Sequence, residues 1–157
     1  MSPQEEAADR VYKKMRDEDI KLTQQRRLIV KLLVKHQDSH PSADELHQHV
    51  RGEDPDVGLA TIYRTLDLLE RLNLVQAVSF GDGRTRYELA SEPHQHHHLL
   101  CIECGKIEEV DEDLLGTVED AVMERTGFSV VDHELKLFGV CYECDERDSS
   151  KESRNLG

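Results

Sequence analysis

The sequence predicts an α+β protein in two parts, an N-terminal winged helix-turn-helix domain and a C-terminal α/β domain. Three observations carry this. Helix signatures in residues 4–72 are followed by a hairpin signature at 74–89. The charge balance changes near residue 90: residues 1–90 hold 14 Lys+Arg against 16 Asp+Glu, residues 91–157 hold 6 against 17. All four cysteines and five of the nine histidines (His94, His96, His97, His98, His133) lie in the second part. Such asymmetry between halves suggests two jobs.

Residues 4–17 read as a short helix. Thr23 can N-cap the next, whose Leu28, Ile29, Leu32 and Leu33 recur at helical spacing. Ser42-Ala-Asp-Glu45 has the form of a capping box and opens a third helix running to about Arg51. Leu59, Ile62, Leu66, Leu69 and Leu72 make an apolar stripe on residues 58–72, with Ala60, Thr61, Tyr63 and Arg64 off the stripe near its start and Asn73 as the stop. Residues 74–80 and 84–89 read as strands around Gly81-Asp82-Gly83. Helices 42–51 and 58–72 form the helix-turn-helix pair, with 58–72 reading DNA and 74–89 as wing. The competing reading is a small helical bundle with a hairpin attached.

Ala90-Ser-Glu-Pro93 is the expected hinge. Beyond it, strands are expected at 96–102, 106–110, 128–131 and 134–140, with a helix at 114–126, giving a β-β-α-β-β order. This sets domains at 1–90 and 91–145. Residues 146–157 form a polar tail expected to be disordered.

The first residues lack an apolar h-region and no apolar run approaches the roughly 18 residues of a membrane span. A cytoplasmic location without membrane contact is therefore expected. There, four cysteines point to metal or redox chemistry more than to structural disulfides. The formal charge of −13 argues against DNA binding when taken whole, but the first 90 residues carry only −2 of it.

Cys101-x-x-Cys104 and Cys141-x-x-Cys144 are separated by 36 residues. Two such knuckles supply four thiolates for a closed tetrahedral Zn(II) site that leaves no position for catalysis. A redox dithiol would instead need one pair at a helix N-terminus, and here each pair borders an expected strand. In Pro93-His94-Gln95-His96-His97-His98, alternation along a strand puts His96 and His98 on one face and His97 on the other. The His-x-His pair is a bidentate start for a transition-metal site, or else a solvated histidine run. A His and carboxylate site suits Fe(II), Mn(II), Zn(II) or Ni(II).

The runs LTQQR (22–26), GLATIYRTLDLL (58–69), FGDGRTRYEL (80–89), HHHLLCIECGKIEEV (96–110) and DHELKLFGVCYEC (132–144) together resemble the ferric uptake regulator family over about residues 10–144. The resemblance implies a homodimer, or a tetramer built from it, with a winged helix and a dimerisation domain. It implies structural zinc at Cys101, Cys104, Cys141 and Cys144. It implies a regulatory metal site between the domains at His40, Glu88, His96, His98 and Glu109. A third family site matches His97 and His133 here, with Gln95 a weak match. It lacks a carboxylate at Gly116, for which Glu119 and Asp120 are the candidate substitutes. Glu at both 88 and 109 favours an iron-type member over a peroxide sensor, and no cysteine remains for a zinc-type regulatory site. The implied function is a repressor that binds an A/T-rich palindromic operator in double-stranded DNA when Fe(II), or Mn(II) or Zn(II) in vitro, fills the regulatory site.

With so small a net charge, DNA contact must come from local groups: Lys13, Lys14, Lys21, Arg26, Arg27, Thr61, Tyr63, Arg64, Arg84 and Arg86. The resemblance places Tyr63 on thymine methyl groups, and Arg86, in the wing, suits a narrow minor groove. Zinc, manganese and peroxide response remain alternatives within the family. A metal storage or chaperone protein is the alternative of another class. An enzyme is not expected, since no HExxH-like motif accompanies the histidines.

Overall fold

The computed structural model describes residues 2–90, 97–110 and 114–147. The chain divides into two compact units, Met1–Ala90 and Ser91–Gly157.

The first unit holds α1 (Pro3–Asp17), α2 (Gln24–Lys35), a 3-10 turn (Gln37–Ser39), α3 (Ala43–Glu53), α4 (Leu59–Arg71), β1 (Val75–Ser79) and β2 (Thr85–Leu89). The helices start where small polar side chains satisfy orphan amides. Ser2 and Glu5 form a reciprocal capping box, and Thr23 accepts from the Arg26 amide at 3.2 Å. Ser42 makes half of the box expected of it. Its hydroxyl accepts from the Glu45 amide and donates to the Glu45 carboxylate, which therefore does not return to the backbone. Helix α4 ends as the sequence indicates, with Asn73 in the left-handed region at φ +57°.

The core of this unit is aliphatic: Met15, Ile29, Leu33, Leu46, Val50, Ile62, Leu66 and Leu69 are buried at the junction of the four helices. Strands β1 and β2 pair antiparallel from Val75↔Leu89 to Ser79↔Thr85, and glycines at positive φ (Gly81, Gly83) turn the chain between them. The other edge of β2 is also covered. Tyr87 donates its amide to the Pro41 carbonyl at 3.0 Å, and Ser42 forms a bridge with Arg86. The segment before α3 thus acts as a short third strand and brings His40 beside Glu88.

The second unit holds β3 (His97–Cys101), β4 (Ile107–Val110), α5 (Gly116–Thr126) and β5 (Lys136–Gly139) in a sheet of order β4-β3-β5. Strand β3 is antiparallel to β4 and parallel to β5, so the connection through α5 is the crossover a parallel pair requires. Residues 128–131 do not form the strand the sequence suggests, so the described order is β-β-α-β. They pair with no strand among the described residues, and Phe128 and Val131 are 74 % and 96 % exposed. High β-propensity without a sheet edge to join does not make a strand. The expected disordered tail also needs correction at its start. Backbone over 142–147 is helical, with the Asp145 amide on the Cys141 carbonyl and the Arg147 guanidinium on Cys144 Sγ at 3.4 Å. The second knuckle itself begins this helix, so a composition-based boundary falls inside it. Residues 148–157 lie outside the described residues. No helix among those described is long and apolar enough to cross a membrane.

Candidate metal centres and nucleic-acid interface

Cys101 ends β3 and Cys104 follows in a turn closed by the Gly105 amide on the Cys101 carbonyl, with Gly105 at φ +77°. Cys141 and Cys144 come from the chain after β5, and the Cys141 amide donates to Cys101 Sγ at 3.3 Å. All four sulfurs lie within 4.8 Å of one another, and Cys104 Sγ is 3.7 Å from Cys141 Sγ. Sulfurs on a tetrahedral zinc with Zn–S of about 2.3 Å are separated by about 3.8 Å. None of the four is in a disulfide.

The electrostatics also call for a cation. Amide donors of Cys104 and Cys141 pull the Cys101 thiol down to about 6, whereas burial and then the neighbouring sulfurs push Cys144 up to about 12. Four crowded thiols cannot all ionise unless a positive charge sits among them. The residues fit structural zinc.

In the first unit, His40 follows the 3-10 turn with φ +49°, a region that a non-glycine residue occupies at a cost. Its Nε2–H donates to Glu88 Oε2 at 3.0 Å, and both side chains are buried. In the second unit, His98 on β3 stands opposite Glu109 on β4, His98 buried and Glu109 exposed. His96, expected beside them, lies outside the described residues, as does Gln95. His97 is buried, its ring centroid 5.3 Å from that of His133. His133 is paired through Nδ1 with Glu119 of α5.

The candidate DNA contacts of the first unit do not share one fate. Tyr63 is 44 % exposed near the start of α4. Arg64 is exposed beside it, with Nη2 3.4 Å from Thr61 Oγ1. Thr61 is partly buried and its carbonyl accepts from Thr65 at 2.8 Å. Lys21 is exposed, and its carbonyl holds Arg26 Nη1 at 2.6 Å. Arg27 is exposed over the Tyr12 ring, Arg84 lies 3.7 Å from Glu45, and Lys13 and Lys14 are exposed on α1. Arg86 departs from the sequence expectation of a groove contact. It is 4 % exposed, with Nη2 on Asp82 at 2.9 Å and its guanidinium over the Phe80 ring, so it braces the wing from inside.

One relationship had no sequence signal. His36 and His49 stack with centroids 3.7 Å apart, because α2 and α3 happen to align them. Of the two acids expected as substitutes for a carboxylate at Gly116, Glu119 is the one that meets His133, where α5 is folded back on the chain ahead of β5.

A model of the ferric uptake regulator family matches residues 17–138. The chain is 40% identical over 147 residues to the ferric uptake regulation protein of Bacillus subtilis, covering 92% of this chain and 99% of that one. It is 32% identical to the peroxide-responsive repressor PerR of Staphylococcus aureus, covering 85% and 88%. The Helicobacter pylori ferric uptake regulator, whose structure is described as revealing three functional metal-binding sites, superposes with a TM-score of 0.76 at 26% identity over 92% of this chain and 95% of that one.

Proposed function

The chain belongs to the ferric uptake regulator family, and on that footing we propose that it is a repressor that binds operator DNA as a homodimer when Fe(II) fills a regulatory site. Membership makes it a metal-responsive transcription regulator and not an enzyme. The observation that carries the finer reading is the His40–Glu88 pair. A buried imidazole and carboxylate, held in contact by a left-handed backbone at His40, form a preset half-site on the DNA-reading unit.

His40 and Glu88 hold the ion from the reader. His96, His98 and Glu109 hold it from the second unit. One ion with ligands on both units favours a single relative orientation of the two, and DNA affinity follows from that preference. Nitrogen and oxygen donors without a spare thiol suit Fe(II), because all four cysteines belong to the tetrathiolate. His40 must give up its Nε2 proton to bind through that nitrogen, so metal uptake releases a proton.

On the DNA side, Tyr63 and Arg64 at the exposed start of α4 read base edges, and Lys21, Arg27 and Arg84 meet phosphates. Dimerisation falls to the second unit, where Phe128, Val131, Phe138 and Tyr142 expose apolar surface. A two-fold dimer calls for a palindromic operator.

The test is a gel shift on an A/T-rich palindrome with the structural zinc retained. Fe(II) or Mn(II) is expected to raise affinity at least roughly fivefold, the low end of allosteric coupling. Equal affinity in chelator and in metal would sink the reading.

A further inference from the structure

Helix α4 starts without help from its own cap. Helices α1, α2 and α3 each begin with a Ser or Thr side chain that accepts from a first-turn amide: Ser2 from Glu5, Thr23 from Arg26 and Ser42 from Glu45. The N-cap of α4 is Gly58, which has no side chain to do this. Its carbonyl accepts the Thr61 and Ile62 amides at 3.1 and 3.3 Å, so the helix is closed, but glycine leaves the backbone at the entry its widest freedom. The direction in which α4 leaves the turn must be fixed from elsewhere.

Within the turn the bonds are local. Asp54 ends α3, its Oδ1 accepts the Asp56 amide at 3.1 Å, and its carbonyl takes the Val57 amide at a long 3.4 Å. The Val57 side chain is buried in the core. The Val57 carbonyl belongs to the peptide unit that leads into Gly58, and it lies 3.0 Å from His47 Nε2. A carbonyl can only accept, so Nε2 carries the hydrogen and donates it, in the neutral ring and in the cation alike. His47 is a half-buried residue of α3, ten positions back along the chain. Among the described residues this is the one side-chain hydrogen bond from α3 to the turn.

We propose that His47 is a positioning residue of the DNA reader: its bond to the Val57 carbonyl sets the angle at which α4 presents Thr61, Tyr63 and Arg64. The proposal rests on the reading of α4 as the helix that enters the major groove. In a helix-turn-helix pair the first helix crosses the DNA backbone while the second lies in the groove, so the angle between them decides which side chains reach base edges. The imidazole locks the peptide unit ahead of α4 to the middle of α3, where the glycine cap alone would let it turn. A reading helix held at its working angle before DNA arrives needs no ordering at the moment of binding. His47 acts through Val57 and not on the DNA itself.

The experiment uses the full zinc-retaining chain with Mn(II), as His47→Leu, His47→Gln, Tyr63→Ala and the double variant His47→Leu with Tyr63→Ala. Each is titrated with an A/T-rich palindrome and with a random-sequence duplex of equal length, at a temperature where thermal unfolding shows every variant folded. Leucine keeps bulk and helix preference but has no donor, whereas the glutamine amide places N–H groups about where Nε2 stands. His47→Leu is expected to weaken palindrome binding by roughly two- to tenfold, the worth of one neutral hydrogen bond. Binding to the random duplex, which depends on phosphate contacts, should stay nearly unchanged. His47→Gln should recover most of the loss. Tyr63→Ala should cost less in the His47→Leu background than alone, because a misdirected helix has already forfeited part of that contact. A histidine that only stabilised the fold would lower the unfolding temperature and leave palindrome affinity where it was. Unchanged palindrome affinity in His47→Leu, strictly additive losses in the double variant, or no recovery with His47→Gln overturns the proposal. Tyr63→Ala alone tests the reading of α4: palindrome binding that survives it overturns that reading and this proposal together, so the two failures are distinguishable.

Discussion

His40 Nε2 and Glu88 Oε2 lie 3.0 Å apart although 48 positions separate the residues in the chain. The contact exists because the extended segment at 41–42 pairs with the free edge of β2, which places the residue before it against the end of the wing. His40 adopts φ +49° to reach that position.

His40→Asn separates geometry from ligation. Asparagine tolerates the left-handed region but offers no imidazole nitrogen. The unfolding temperature of the metal-depleted first unit is expected to change little, while metal-dependent DNA affinity falls roughly tenfold or more, one direct ligand being worth at least an outer-sphere partner. Calorimetry and DNA titration with and without Mn(II) check both halves.

Cys144→Ser removes a buried thiolate from the tetrathiolate. Zinc content is expected to fall from one ion per chain to none, and the second unit to lose its structure, because binding energy there is folding energy. The first unit has its own aliphatic core, so a separate unfolding transition for it should survive. A protein that keeps β3 and β5 amide protection without zinc would contradict this.

Arg86 and Arg64 should fail in different ways. Arg86→Ala removes a buried side chain packed over the Phe80 ring and paired with Asp82, so a loss of stability is expected. The dependence of DNA affinity on salt should then be unchanged. Arg64→Ala should leave stability nearly intact and weaken DNA binding. If Arg64 meets a phosphate, the slope of log affinity against log salt drops by about 1; if it meets a base edge, the loss is confined to particular sequences.

His36 gives a pH dependence of stability. Burial first, then His49 and Lys35, hold its imidazole below the usual value of 6.5. The unfolded chain therefore takes up the proton first as pH falls. The contribution is complete above about pH 6.5 and is lost as pH drops through the lower folded value. Denaturant unfolding of the zinc-retaining chain at pH 7.5 and pH 5.5 should show His36→Gln losing less stability than the unmodified protein.

The sequence by itself determined most of the local architecture. Thr23, Ser42 and Asn73 mark helix ends through their own hydrogen bonding and backbone preferences, and Gly81 and Gly83 turn the hairpin. The cysteine spacing alone pointed to a four-sulfur knuckle, because each pair is local and only their meeting is not. What only the tertiary structure decided are contacts between elements far apart in the chain. Arg86 looked like a wing surface group, yet the bridge to Ser42 and the ion pair with Asp82 place it inside. Residues 128–131 have the composition of a strand, but no described edge receives them. Glu119 and Asp120 stand as equal substitutes for the carboxylate missing at Gly116 until folding sets Glu119 against His133. Periodicity reports which face of an element is apolar. It does not report which other element that face will meet, and the buried candidate ligands of this protein are set by those meetings.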